Sequence, residues 1–130
     1  MNITYAEADG ADFFVPDGCV QDALAAVLQL NAGTPGEPAN LAEALKSAGF
    51  DTSVSQAGTA ITHYDGHGGH EGDYLAALAP LAREGSFVNF IGATGDRWRL
   101  LVRDGRLISQ HPRVDWVDDS SQPAQFQRAR

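Results

Sequence analysis

The sequence predicts an α+β fold, a largely antiparallel sheet with two to three helices packed on one face. The first observation behind it is order, because the hydrophobic period runs strand, helix, helix, hairpin, helix and then three strands. The second is a pair of hairpin signals, at 56–58 and at Asp104-Gly105. The third is length, since 130 residues fit one domain with one core. Residues 1–117 are expected to form that domain, with 118–130 as a polar C-terminal tail.

Residues 2–15 read as an extended start, with Phe13-Phe14-Val15 as the strand and Ala8-Asp9-Gly10-Ala11 as a turn before it. Pro16-Asp17-Gly18 stops that strand. Val20, Ala23, Leu24, Val27 and Leu28 then recur at helical spacing, with Asp17 as the expected N-cap and Leu30-Asn31 as the end. Two Pro and two Gly within 32–38 mark a linker. Asn40-Leu41-Ala42-Glu43 has the form of a capping box, followed by a stripe of Leu41, Ala44, Leu45 and Ala48 and a Gly49 stop.

Phe50, Thr52 and Val54 alternate with Asp51, Ser53 and Ser55, and the turn at 56–58 leads into a second strand over 59–64, a β-hairpin. Residues 65–72, with four glycines, are expected to be a loop before a third helix carrying Tyr74, Leu78, Leu81 and Ala82 on one face. Pro80 should bend or loosen that helix, because it lacks the N–H that bonds one turn back. Residues 87–91 are apolar on both faces except for Asn89, as a central strand would be. Beyond the turn at 93–96, Trp98, Leu100 and Val102 point one way, while Arg97, Arg99 and Arg103 point the other with Leu101 among them. Asp104-Gly105 returns the chain antiparallel over 106–110.

Composition narrows the function classes. The apolar share of 43% and charged share of 20% are ordinary for a globular protein. Apolar runs such as that at 24–28 are far short of the roughly 20 residues that span a bilayer, so no membrane partner is expected. The first residues carry neither a basic nor an apolar leader segment, and Cys19, the single cysteine, has no internal disulfide partner, so a cytoplasmic address is expected. The net charge of −8 is lopsided: residues 1–82 hold 11 acids and one base, and residues 83–130 hold 6 acids and 8 bases. Such an acidic surface disfavours nucleic-acid binding, which relies on Lys and Arg neutralising phosphates.

A collinear series of short strings carries a resemblance. Phe13-Phe14-Val15-Pro16, Asp22-Ala23-Leu24, Leu30-Asn31, Ala44-Leu45, Ala48-Gly49-Phe50, Leu78-Ala79-Pro80, Gly85-Ser86-Phe87-Val88, Gly92, Gly95, Trp98-Arg99 and Asp104-Gly105 stand in this order. Over roughly residues 13–107 this resembles a widespread family of small, mostly uncharacterised phage, prophage and bacterial proteins. The resemblance implies an α+β accessory protein of phage or mobile-element type and brings no catalytic residues with it. Cys19, His67, His70 and the non-acidic Gly92-Ala93-Thr94 turn depart from the family pattern.

Three constellations bear on chemistry. His63, His67 and His70 have a spacing that could present imidazoles to zinc or nickel, but no cysteine accompanies them and glycines make the loop costly to order. The expectation is therefore no metal and no cofactor, with these three histidines as the donors of any metal that is held. Cys19, near a helix start, has the placement of a thiol nucleophile but no histidine from the expected strand positions. A small metal-dependent or thiol-dependent hydrolase is the alternative that these residues define. Arg97, Trp98, Arg99 and Arg103 form a basic stripe that could grip an acidic protein, a nucleotide or a phosphate, or else a solvated strand face with Asp96, Asp104 and the N-terminal acids as counter-charges. No phosphate-binding loop or hydrolase motif occurs. The expected function is a non-enzymatic accessory protein that docks on a host protein, as a monomer or homodimer.

Overall fold

A computed structural model describes residues 5–30, 38–67 and 70–119, with Tyr5 and His67 described by their backbone alone. Six strands form one antiparallel sheet: β1 (Tyr5–Pro16), β2 (Phe50–Ser55), β3 (Gly58–His67), β4 (Phe87–Gly92), β5 (Arg97–Arg103) and β6 (Arg106–Gln110), in the spatial order β2-β3-β1-β4-β5-β6. Three helices, α1 (Val20–Leu30), α2 (Leu41–Ser47) and α3 (Glu71–Leu78), lie on one face. The α+β architecture expected from the sequence is the one observed. No described helix is long and apolar enough to cross a membrane.

The helices cover a core whose strand members alternate as the pleat requires. Phe13 and Val15 of β1, Ile61 of β3, Val88 and Phe90 of β4, and Leu100 and Val102 of β5 are buried against Ala23 and Val27 of α1, Leu41, Ala44 and Leu45 of α2, and Leu75 and Leu78 of α3. A row of rings crosses this face. Phe50 meets Tyr64 at 4.5 Å between centroids, Tyr64 meets Phe90 at 5.7 Å, and Phe90 stacks on Trp98 at 5.4 Å. The row passes from β3 to β4 although β1 runs between them. β1 contributes only the methyl groups of Ala6 and Ala8, opposite Gly66 and Phe90, so the larger rings can meet over them. Each such pair contributes about 0.5–1.5 kcal/mol beyond the area it buries.

Three local expectations are corrected. The Asp9-Gly10 pair turns no corner. It is a bulge within a single 12-residue strand, where the β1 register on β4 shifts between Ala8 and Ala11 and Gly10 takes φ +129°. Pairing on both sides overrides the local turn signal. Asp17 is not a helix cap: it opens a 3-10 turn over Asp17–Cys19 that Pro16 precedes in the cap position, and α1 begins only at Val20. Lastly, β3 continues through Asp65, Gly66 and His67, which pair with Glu7, Ala6 and Tyr5, so the expected loop is strand at its start. Gly72, at its other end, lies inside α3.

Other local readings hold. The Asn40 side chain accepts from the Glu43 N–H at 2.9 Å, and the Glu43 carboxylate accepts from the Ala39 N–H at 3.2 Å, closing the capping box. α3 ends at Leu78 and tightens into a 3-10 turn over Ala79–Leu81 that accommodates Pro80. Asp104 and Gly105 both take positive φ, 55° and 73°, as a two-residue turn of the favoured hand requires. The linker at 32–38 and most of the expected tail lie outside the described residues.

Candidate functional site

The second face of the sheet carries no helix, and the arginines stand on it. Direct cross-strand partners point to the same side of a sheet. Phe87 therefore shares this face with Leu101 and Ile108, Asn89 with Arg99 and Gln110, and Ile91 with Arg97. The cations are laid over the aromatics: the Arg99 guanidinium lies 5.0 Å from the Phe87 ring centroid and that of Arg83 lies 5.4 Å from Phe14. At an exposed site each contact is worth about 0.5–1 kcal/mol, and each holds a flexible cation flat against the sheet.

Charge on this face is sorted by strand. On the β1 side the acids are answered: Arg97 is ion-paired with Asp9, and Arg83 Nη2 reaches Asp12 Oδ1 at 2.7 Å. Toward β6 the arginines have no carboxylate partner among the described residues. Arg99 donates from Nε to Asn89 Oδ1 at 2.7 Å, a neutral partner that fixes the guanidinium without neutralising it. Arg103 stands directly opposite Arg106 at the end of the β5–β6 hairpin, two like charges side by side. Asp96 and Asp104 do not supply the expected counter-charges. The Asp96 carboxylate accepts from the Thr94 hydroxyl at 2.7 Å, and the Asp104 N–H donates to Glu84 at 2.9 Å.

An open groove of about 540 Å³ lies in this region, lined by Asp9, Asn89, Arg97, Arg99, Gln110 and His111 together with Phe90, Trp98 and Pro112. Of the four stripe residues, Arg97, Trp98 and Arg99 line it and Arg103 does not. The Trp98 ring belongs to the helix-covered face, stacked on Phe90. Asn89, Gln110 and His111 escaped the sequence reading as site residues, although Asn89 carried a signal as the one polar side chain in an apolar central strand. The lining presents many N–H donors. Among the described residues its one carboxylate, Asp9, is tied to Arg97. Such a set suits the grip of a carboxylate-bearing ligand.

His63 lies on β3 opposite Asp51, and His70 precedes α3, with Nδ1 3.4 Å from Asp73 Oδ2 and both side chains largely exposed. The His67 side chain lies outside the described residues. Among the described residues no three His, Cys, Asp or Glu side chains come together around a common point. Cys19 is half-buried at the end of the 3-10 turn and packs against the core.

One buried polar pair lies elsewhere. The Tyr64 hydroxyl donates to Glu71 Oε1 at 3.3 Å beneath α3. Burial, reinforced by the Glu71 carboxylate, pushes the Tyr64 phenol up to about 12. Gly66 leaves the room for that phenol, since a Cβ there would stand 2.5 Å from the hydroxyl oxygen. At the far edge, the Lys46 ammonium bonds Asp51 at 2.7 Å and holds its carboxyl below the usual range.

Fold and site together define a small α+β domain with one helix-covered and one open sheet face. No family profile, curated protein or solved structure matches the chain.

Proposed function

We propose that this protein is a non-enzymatic accessory factor, of the phage or mobile-element type that its sequence resembles, which docks an acidic segment of a host protein on its open sheet face. The observation that carries this reading is Arg99: stacked on Phe87 and fixed by Asn89, it lines the groove and has no carboxylate partner among the described residues. A guanidinium held in place loses little freedom when it binds a carboxylate in bidentate fashion, so its contribution to affinity is large for one residue. Half-buried Phe87, Leu101 and Ile108 beside it give an apolar floor for a side chain flanking that carboxylate.

The test is affinity isolation from a lysate of the source organism, with the full chain immobilised as wild type, Arg99→Glu and Lys46→Glu. A stoichiometric partner held by the wild type and by Lys46→Glu, and lost with Arg99→Glu, is the expected result. Capture of no partner, or equal capture by Arg99→Glu, refutes the reading.

A further inference from the structure

Beyond the last strand the chain presents a feature that the open face does not absorb. Residues 111–119 have no regular secondary structure, and within them Val114 is 77% exposed, Trp116 97% and Val117 84%. An almost fully exposed tryptophan is a large apolar surface left in water. Asp115, Asp118 and Asp119 and one arginine, Arg113, accompany it; Arg113 is ion-paired with Asp115 at 3.3 Å, and the segment as a whole is apolar with a net negative charge.

The open face has the complementary character. Its arginines toward β6 lack carboxylate partners among the described residues, and Phe87, Leu101 and Ile108 lie half-buried between them. At about 3.3 Å per residue, the seven residues 113–119 reach roughly 23 Å when extended, more than the width of four adjacent strands at about 4.8 Å spacing. The arm does not use its own face. It leaves from His111 and Pro112 on the rim of the groove, and its apolar side chains lie exposed. Proline fixes φ and biases the residue before it to extended backbone, which opposes an immediate reversal onto the strands just left.

We infer that two copies of this chain exchange arms, the segment 113–119 of each lying across the open β4-β5-β6 face of the other, with Trp116 on the Phe87 and Leu101 floor and Asp118 toward Arg99 and Arg103. A two-fold pair makes this contact twice, so each apolar and ionic gain is doubled. A tryptophan brings about 150–250 Å² by itself. The inference rests on the docking reading for the site and adds to it that the protein's own arm competes with the partner for that site.

Sedimentation velocity of the full chain over a hundred-fold concentration range tests it, together with tryptophan emission. The wild type should pass from monomer to dimer, with emission shifting to shorter wavelength in step. Trp116→Ala and Arg99→Glu should each stay monomeric over the range in which the wild type dimerises, and added salt should weaken the wild-type dimer. A wild type that remains monomeric, a Trp116→Ala variant that dimerises like the wild type, or a Trp116 emission (the wild-type spectrum less that of Trp116→Ala) that does not shift with concentration would each overturn arm exchange. Partner capture by Trp116→Ala separates the two readings. A monomeric Trp116→Ala that still captures the host partner bears out both, and a dimer without any captured partner leaves arm exchange standing while the docking reading falls.

Discussion

Ser86→Ala removes one hydroxyl at a position with no exposed surface, and the structure assigns that hydroxyl a specific task. β1 is flanked by β3 and β4, but β4 begins at Phe87, opposite Asp12, so Phe14 has no strand partner on that side. The Phe14 N–H donates instead to Ser86 Oγ at 3.1 Å, while the Phe14 carbonyl accepts from the Arg83 N–H at 2.8 Å. The serine side chain thus stands in for a missing rung of the ladder. Without it the amide loses its partner at a site where Ser86 admits no solvent, and an unsatisfied buried donor costs about 1–3 kcal/mol. For a chain of this length each kcal/mol lowers the melting midpoint by roughly 3–5 °C. Urea unfolding followed by circular dichroism should show a lower midpoint with an unchanged slope, since the area exposed on unfolding is the same. Amide exchange at Phe14 should accelerate more than at its neighbours. Ser109→Ala, on an exposed position of β6, serves as the control and should change little. An unchanged midpoint for Ser86→Ala, or unaltered protection of the Phe14 amide, would refute the assignment.

Two glycines should respond oppositely to alanine. At Gly58, with φ +149°, a Cβ would stand 2.1 Å from the Val15 carbonyl oxygen, so Gly58→Ala should destabilise by about 3 kcal/mol or more, whereas Gly72→Ala, in the first turn of α3 with open space around it, should stabilise by about 0.4–1 kcal/mol; thermal melts of both settle this. Asn40→Ala deletes the α2 cap and should cost about 1 kcal/mol by urea titration, with Asn40→Asp keeping most of the stability. The Tyr64 phenol has a folded pKa of about 12, above its ordinary value near 10, so the folded state favours the protonated phenol. That stability is complete below pH 10 and is lost as pH rises toward 12. Urea midpoints measured over this window should fall for the wild type and fall less for Tyr64→Phe; equal slopes would show that the phenol is not protected by burial.

Local pattern carried much of this fold, and the misreadings share one cause. The helices, the Asn40 cap and the hairpins at 56–57 and 104–105 depend on residues a few positions apart, and alternation placed Arg97, Arg99 and Arg103 opposite Leu100 and Val102. Asp9-Gly10 was misread because a turn and a bulge use the same residues, and only the distant β3 and β4 decide between them. Asp65, Gly66 and His67 looked like loop for the same reason, since what makes them strand is Tyr5, Ala6 and Glu7, far away in the chain. The groove was legible in its arginines but not in Gln110 or His111, whose role comes from pairing β6 against β5 in a particular register.

The charge asymmetry shows how topology turns a sequence bias into a surface. Along the chain nearly all bases follow residue 82, which suggests an acidic half and a basic half. Strand order prevents that separation, because the acid-bearing β1 sits beside β4, one strand from the arginines of β5. Asp9 therefore neutralises Arg97, and Asp12 neutralises Arg83, at the inner edge of the open face. Neutralisation stops where β1 stops reaching. Arg99 has Asn89 in place of a carboxylate, and Arg103 and Arg106 face each other on the side of β5 away from β1. An acidic protein thus keeps a local basic strip, and the same topology decides where it lies. Replacing Asn89 with aspartate should extend the neutralised region by one residue, pairing Arg99 as Asp9 pairs Arg97. The sheet should tolerate Asn89→Asp, which keeps the size and the acceptor that Arg99 uses. Partner capture by Asn89→Asp should nevertheless fall as it does for Arg99→Glu, and undiminished capture would show that a free positive charge at Arg99 is not what the partner reads.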